Sequence, residues 1–135
     1  MFKKIFNTNI DQARISLVIL ITRVAFGAMM LTHGYPKFLK VLDGDFKFGD
    51  PLGVGPTTSL ILAALGEFVG SIMVILGLGT RVGAFLLSAT MATATFITHA
   101  DDPFGRKEKA LMYFIVFVAM MISGGGKYSL DRKLD

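Results

Sequence analysis

Hydrophobic residues in this chain are grouped into four blocks, separated by short charged or glycine-rich segments. The blocks cover residues 15–35, 57–78, 82–99 and 108–124. A helix needs about 20 mostly apolar residues to cross the hydrocarbon core of a bilayer, and the first three blocks are close to that length or reach it. The pattern therefore predicts helices that cross a membrane, with little of the chain outside it.

The fourth block is the least regular of the four. Its purely apolar or small part, residues 110–123, is only 14 residues long, about 21 Å as a helix. It reaches a spanning length only if residues 107–109 are included, with their lysine side chains extending to the headgroups. A re-entrant segment is the alternative, and we favour a full span.

The segments between the blocks are short, with one exception. Residues 36–56 form a longer connection that starts at Pro36 and ends in a stretch rich in glycine and proline. Residues 1–14 are a polar lead-in. A chain of 135 residues has the size of a single domain. The predicted fold class is all-α: an integral membrane four-helix bundle with short loops, forming one domain over residues 1–135.

Composition and charge exclude several kinds of redox site and one class of partner. There is no cysteine, which excludes cysteine-ligated iron–sulfur clusters, CxxC redox motifs and disulfides. The net charge is +4, but the basic residues stand at block ends and form no continuous stripe. We therefore expect contacts with lipid headgroups and no nucleic-acid partner.

The distribution of charge indicates the orientation in the membrane. The side of the termini has seven Lys or Arg, and the other side has six together with more acidic residues. This favours both termini on the cytoplasmic side of the membrane.

Two charged residues lie inside apolar blocks. Arg23 is eight residues into the first block and Glu67 ten into the second, which runs in the opposite direction. A charge at the bilayer centre costs about 2.5–3.5 kcal/mol on insertion scales, so such residues usually face a partner. We predict a mutual ion pair near mid-depth. It would serve either to hold two helices together or to bind a ligand and move protons.

Other ionisable residues lie where blocks end on the side away from the termini. They are His33, Lys37, His99 and Glu108. They predict a polar mouth, which a path could join to the Arg23–Glu67 pair. Tyr35 and Tyr113 fit the aromatic belt of the membrane interface. Two histidines at block ends more often face headgroups than ligate haem or a metal, so no metal site is predicted.

Several short motifs, in this order and spacing, resemble the DoxX family of small bacterial membrane proteins over nearly the whole chain. They are Arg23 with Gly27, His33-Gly34 with Lys37, Phe48-Gly49-Asp50-Pro51-Leu52-Gly53, Gly66-Glu67-Phe68 with Gly70, Leu76-Gly77-Leu78 with Thr80-Arg81, Thr98-His99-Ala100-Asp101-Asp102-Pro103-Phe104, Glu108 with Ala110-Leu111, and Gly124-Gly125-Gly126-Lys127-Tyr128-Ser129-Leu130-Asp131. Gly125 departs from the pattern, in which a proline is expected. The resemblance implies four helices in the bacterial inner membrane and a role linked to quinol oxidation or thiosulfate–quinone oxidoreduction.

The leading functional hypothesis is a quinone-linked oxidoreductase subunit with a polar ligand site inside the membrane. Its candidate residues for ligand binding or proton handling are Arg23, His33, Lys37, Glu67, His99 and Glu108. No resident cofactor is expected, and quinone would be a substrate or ligand. One alternative is a non-catalytic scaffold that recruits a soluble redox or stress enzyme, and another is a small transporter. Membrane lipid is the expected contact. A protein partner, a homo-oligomer and catalytic activity are all left open.

Overall fold

The computed structural model describes residues 2–135, and every regular element in that range is a helix. The helices are α1 (Phe2–Ile5), α2 (Gln12–Leu42), α3 (Pro56–Leu76), α4 (Thr80–Thr98), α5 (Phe104–Ser123) and α6 (Asp131–Leu134). The prediction of an all-helical protein is confirmed. Three helices, α2, α3 and α4, are long and apolar enough to cross a membrane. The charged first turns of α5 distinguish it from these three, although its 20 residues are close to the lengths of α3 and α4.

The helix ends follow local chemistry. Asp11 precedes α2, and its carboxylate accepts a hydrogen bond from the backbone N–H of Ala13 at 3.0 Å. Pro56 stands at the start of α3, where its missing N–H leaves no bond unmade. Gly77 ends α3 with a φ of 69°, a left-handed conformation that glycine adopts without strain.

Helix α2 continues through Pro36, where the sequence predicted a loop. A proline inside a helix loses one backbone hydrogen bond and crowds the carbonyl four residues earlier, which is why an end was expected there. The helix nevertheless runs on to Leu42, for 31 residues in all. The extra turns are held by packing, since the ring of Phe38 stacks on that of Phe68 with centroids 4.2 Å apart. This continuation also places Lys37 beside Glu67 of α3.

Helices α2 and α3 approach each other closely at Gly34. A Cβ atom at this position would lie 2.5 Å from the backbone nitrogen of Phe68 and 2.6 Å from the carbonyl carbon of Glu67. Only glycine permits this approach, because neither neighbour is a flexible side-chain end. The contact fixes the longitudinal register of the two helices and brings Glu67 against α2.

Helix α5 packs antiparallel to α4 along its whole length. Contacts at four successive levels join them: Gly124 with Arg81, Met121 with Ser88, Phe114 with Phe96, and Lys107 with Ala100. At 20 residues, α5 is about 30 Å long, which matches the hydrocarbon thickness.

The buried core lies between α2, α3, α4 and α5. It contains Met30, Val74, Ala84, Leu87, Met91, Tyr113, Phe117 and Met120. Large apolar side chains on the outer faces are half exposed, among them Ile21, Phe85 and Ile115. A surface of this kind is suited to lipid contact, as expected for a membrane protein.

The chain after α5 folds back over the turn between α3 and α4. The backbone N–H of Asp131 donates to the carbonyl of Gly77 at 2.8 Å. The Asp131 carboxylate accepts hydrogen bonds from the backbone N–H groups of Gly79 at 2.6 Å and Thr80 at 2.9 Å. Asp131 therefore caps the start of α4 from a distant part of the sequence.

Candidate functional site

Two of the long helices change their winding near the predicted mouth. Helix α3 is π-helical over Leu65–Val69, and α4 is π-helical over Ala94–Thr98. Single π-helical turns inside α-helices are uncommon and occur often at functional sites, because they re-aim side chains at some cost in regular hydrogen bonding. Glu67 lies within the first π-helical turn, and His99 directly follows the second.

Glu67 forms an ion pair with Lys37. The Lys37 Nζ atom lies 2.6 Å from the Glu67 Oε2 atom, and the two side chains are 25% and 5% exposed respectively. The same Nζ atom donates to the backbone carbonyl of His33 at 3.3 Å. The lysine is thus held at two points, and the buried carboxylate has a counter-charge on the neighbouring helix.

The predicted ion pair between Arg23 and Glu67 is wrong. Arg23 is 1% exposed, and its Nη2 atom donates to the backbone carbonyl of Tyr128 at 2.9 Å. Its guanidinium also packs against Gly77. Within residues 2–135, its Nε and Nη1 atoms are buried and have no hydrogen-bond partner.

The register of α2 and α3 explains the difference. Residue 34 faces residue 67, while residue 23 faces residue 77, so the two charges lie ten to eleven residues apart along the helices. That separation is about 15 Å at 1.5 Å per residue. The prediction placed Arg23 and Glu67 at the same depth by counting residues from the ends of their blocks, which assumes that the two helices begin and end at the same levels. Instead α2 begins at Gln12 and projects past the end of α3, where the C-terminal segment covers it.

A polar cavity of about 300 Å³ lies beside the Lys37–Glu67 pair. Its polar lining residues are His33, Lys37, Glu67, His99, Arg106, Lys109 and Tyr113. Four of the six predicted site residues are therefore brought together. Arg23 does not line this cavity, and Glu108 is exposed on the surface of α5 and does not line it either.

A second, mostly apolar cavity of about 420 Å³ adjoins the first. It lies between α3, α4 and the connection after α2, whose Phe48, Pro51 and Leu52 form part of its wall. Lys37, Glu67, Ala94 and His99 line both cavities. An apolar space and a polar space thus meet at one ion pair and one imidazole. Neither cavity includes Arg23, so neither of them joins the mouth to Arg23.

His99 is oriented from the loop that follows α4. Its Nδ1 atom is 2.7 Å from the Asp102 Oδ2 atom, which leaves Nε2 as the ring nitrogen without this partner. The hydrogen bond to His99 lowers the pKa of Asp102 below its ordinary value of 3.8. A carboxylate on one nitrogen fixes the orientation of the ring.

Sequence reasoning missed three residues of the polar cavity. Tyr113 was assigned to the aromatic belt, but it is only 8% exposed and its ring centroid lies 6.1 Å from that of His33. Arg106 and Lys109 line the same cavity from exposed positions on α5. The signal was present, because residues 106, 109 and 113 repeat at the spacing of one helix face, which Glu108 does not share.

Among residues 2–135, no three His, Asp or Glu side chains are placed to share a metal ion. The site as built offers hydrogen-bond donors, one carboxylate and imidazole nitrogens. Groups of these kinds can bind an oxygen-bearing group and exchange protons with it.

Comparison with known proteins settles the family. The sequence profile of the DoxX family matches residues 18–100, more than half of the chain, and these residues hold both π-helical turns. This chain belongs to the DoxX family. The resemblance drawn from the motifs is thereby confirmed.

Relatives extend the similarity over most of the DoxX chain. An uncharacterized protein of Haemophilus influenzae is 37% identical over 122 residues, which cover 82% of this chain and 86% of the relative. The Bacillus subtilis protein named "Putative oxidoreductase CatD" is 26% identical, with 83% of each chain covered. The Escherichia coli inner membrane protein YqjF is 26% identical over 87% of this chain and 92% of its own. No solved structure matches the sequence.

Proposed function

We propose that this DoxX protein binds a quinone, or a similar lipophilic molecule with an oxygen-bearing head, where the two cavities share their lining residues. In this proposal it is the quinone-binding subunit of a membrane oxidoreductase. The observation that carries the proposal is that an apolar cavity and a polar cavity share Lys37, Glu67 and His99. A ligand with an apolar ring system or tail and a polar head needs this combination of surfaces.

Each shared residue has a definite role in the proposal. Lys37 donates a hydrogen bond to a carbonyl oxygen of the head while Glu67 holds the ammonium in place at 2.6 Å. His99, oriented by Asp102, is the second donor and exchanges a proton with the other oxygen. Tyr113 and His33 close the polar side of the space.

Electron transfer needs a second component in this proposal. Reduction of a quinone to a quinol consumes two electrons and two protons. The protons pass through the polar cavity from the surface that carries Arg106 and Lys109, and the electrons come from a redox partner protein. The oxidoreductase name of the Bacillus subtilis relative supports this assignment at 26% identity.

Ligand binding is the first test. A short-chain quinone analogue titrated into purified protein in detergent should bind. Its affinity is measured by calorimetry, or by quenching of the fluorescence of a fluorescent analogue. The variants Lys37→Gln, Glu67→Gln and His99→Ala should each bind about tenfold more weakly, since a lost buried hydrogen bond costs about 1–2 kcal/mol.

Glu108→Gln is the matched control, because Glu108 is exposed and lines neither cavity. Its affinity should equal that of the wild type. If folded wild-type protein binds no quinone analogue, the ligand proposal fails and the scaffold that recruits a soluble enzyme becomes the better explanation.

We further propose four crossings of the bacterial inner membrane with both termini in the cytoplasm. The full-length contact of α5 with α4 supports a fourth crossing, because α5 then spans the same depth. Two Escherichia coli relatives, YqjF and YphA, are named inner membrane proteins, which supports the membrane assigned.

Topology reporters test this arrangement. Fusions at residue 45 and at the C-terminus should report opposite sides of the membrane, because three crossings separate them. A fusion after residue 101 should report the same side as that at residue 45. Reporters on the same side at residue 45 and at the C-terminus would mean that α5 does not cross.

A further inference from the structure

A groove lies at the end where both termini are found, away from the cavities of the proposed quinone site. It has a volume of about 780 Å³. Its walls are the start of α2, the start of α4 and the glycine turn that follows α5. The glycines of this turn include Gly124 and Gly126, whose φ values are 71° and 73°. Because such backbone favours glycine, this wall of the groove carries no side chains.

Positively charged side chains surround the groove. Arg81, Lys127 and Arg132 line it, and within residues 2–135 neither Arg81 nor Lys127 forms an ion pair. Of the acidic residues that line it, Asp131 is bound to the backbone at the start of α4. Asp135 contacts Arg132 at 3.8 Å. Arg81 and Lys127 therefore have no carboxylate partner within residues 2–135, and the Lys127 Nζ atom lies 6.0 Å from the centroid of the Tyr128 ring.

The distribution of charge over the whole chain points to the same end. The face with the termini holds seven basic residues and three acidic ones, a net charge of +4. On the opposite face, Lys37 pairs with Glu67, and the remaining five basic residues stand against six acidic ones. The excess of positive charge is thus at the end that carries the groove.

Part of the groove wall is apolar. Ile15, Ile19 and Val82 form it. Arg23 lies one helical turn deeper than Ile19 and adds a buried positive charge behind this wall. A water-soluble anion would gain nothing from the isoleucines. A lipid would place its phosphate among the basic side chains and its acyl chains along the apolar wall.

We propose that this groove is a binding site for an anionic phospholipid, with the phosphate of the headgroup held by Arg81, Lys127 and Arg132. The site is separate from the quinone site and independent of its function. It would anchor the C-terminal segment, whose Tyr128 and Asp131 contact α2 and α4, to the membrane surface.

Thermal unfolding of the full chain in detergent tests the site. Added phosphatidylglycerol should raise the unfolding midpoint with a saturable dependence on concentration. Phosphatidylcholine and inorganic phosphate should not produce this shift, since the first lacks net charge and the second lacks acyl chains. The triple variant Arg81→Gln/Lys127→Gln/Arg132→Gln should require at least tenfold more phosphatidylglycerol for half of the effect.

The triple variant Lys40→Gln/Lys47→Gln/Lys107→Gln is the control for total charge, because it removes three positive charges from the opposite face. It should keep the wild-type response. An equal response to phosphatidylcholine, or a response to inorganic phosphate alone, would overturn the proposal. So would the same loss of phosphatidylglycerol response in both triple variants, since the effect would then depend on total charge. Midpoints without lipid show whether each variant is folded.

Discussion

Replacing Lys37 with methionine is expected to lower the free energy of unfolding by about 3 kcal/mol. The change leaves the Glu67 carboxylate, only 5% exposed, without its counter-charge at 2.6 Å. Removing one partner of a buried ion pair costs about 3–5 kcal/mol. The low end applies because the Lys37 side chain is 25% exposed and borders a polar cavity.

A double-mutant cycle isolates the pair. Lys37→Met/Glu67→Gln should be more stable than the sum of the two single changes implies, by about 1–3 kcal/mol, because neither residue is then left charged and alone. Arg23→Gln combined with Glu67→Gln should instead be additive within about 0.5 kcal/mol, since these residues lie in different parts of the bundle. Unfolding in detergent–denaturant mixtures supplies the free energies. Additive changes at Lys37 and Glu67 would contradict the ion pair.

Replacing Asp131 with alanine is expected to destabilise the protein by about 2–3 kcal/mol. The carboxylate accepts hydrogen bonds from the backbone N–H groups of Gly79 and Thr80, at 2.6 and 2.9 Å. Hydrogen bonds to a charged group contribute about 1.5–3 kcal/mol each at best, and loss of a helix cap costs about 0.5–2 kcal/mol. Loss of this cap also loosens the segment whose Tyr128 carbonyl binds Arg23.

The effect of Asp131 should depend on pH. Burial raises the pKa of Asp131. The hydrogen bonds from Thr80 and Gly79 and the charge of Arg23 together lower the pKa by more than burial raises it, so it lies below its ordinary value of 3.8. A group with a lowered native pKa stabilises the folded state fully above the unfolded pKa. The stabilisation is lost as pH falls from 3.8 through the native pKa. The stability difference between wild type and Asp131→Ala should therefore shrink below pH 3.8.

Asp135→Ala is the matched control, because Asp135 belongs to the same segment and its side chain is 82% exposed. Its unfolding midpoint should equal that of the wild type at every pH. Equal destabilisation by the two alanine variants would show that Asp131 has no special role as a cap.

The amino-acid sequence was sufficient to identify the helices, the family and most of the candidate site. Apolar blocks report helices directly, since a bilayer tolerates few charges inside a span. Ionisable residues at block ends on one side indicated His33, Lys37 and His99, and all three line the polar cavity. Glu67 was identified for a different reason, because it is a charged residue inside an apolar block.

The partner of each charge was decided by tertiary structure. The register of α2 against α3 depends on the close contact at Gly34, which places Glu67 beside the turn that carries Lys37. It also depends on α2 continuing through Pro36, although local backbone preference favours an end there. Distances between residues on different helices are set by such packing contacts. The order of residues along one helix does not reveal these contacts. For this reason the sequence supplied the charged residues, while only the fold determined that Glu67 pairs with Lys37 and that Arg23 binds the C-terminal segment.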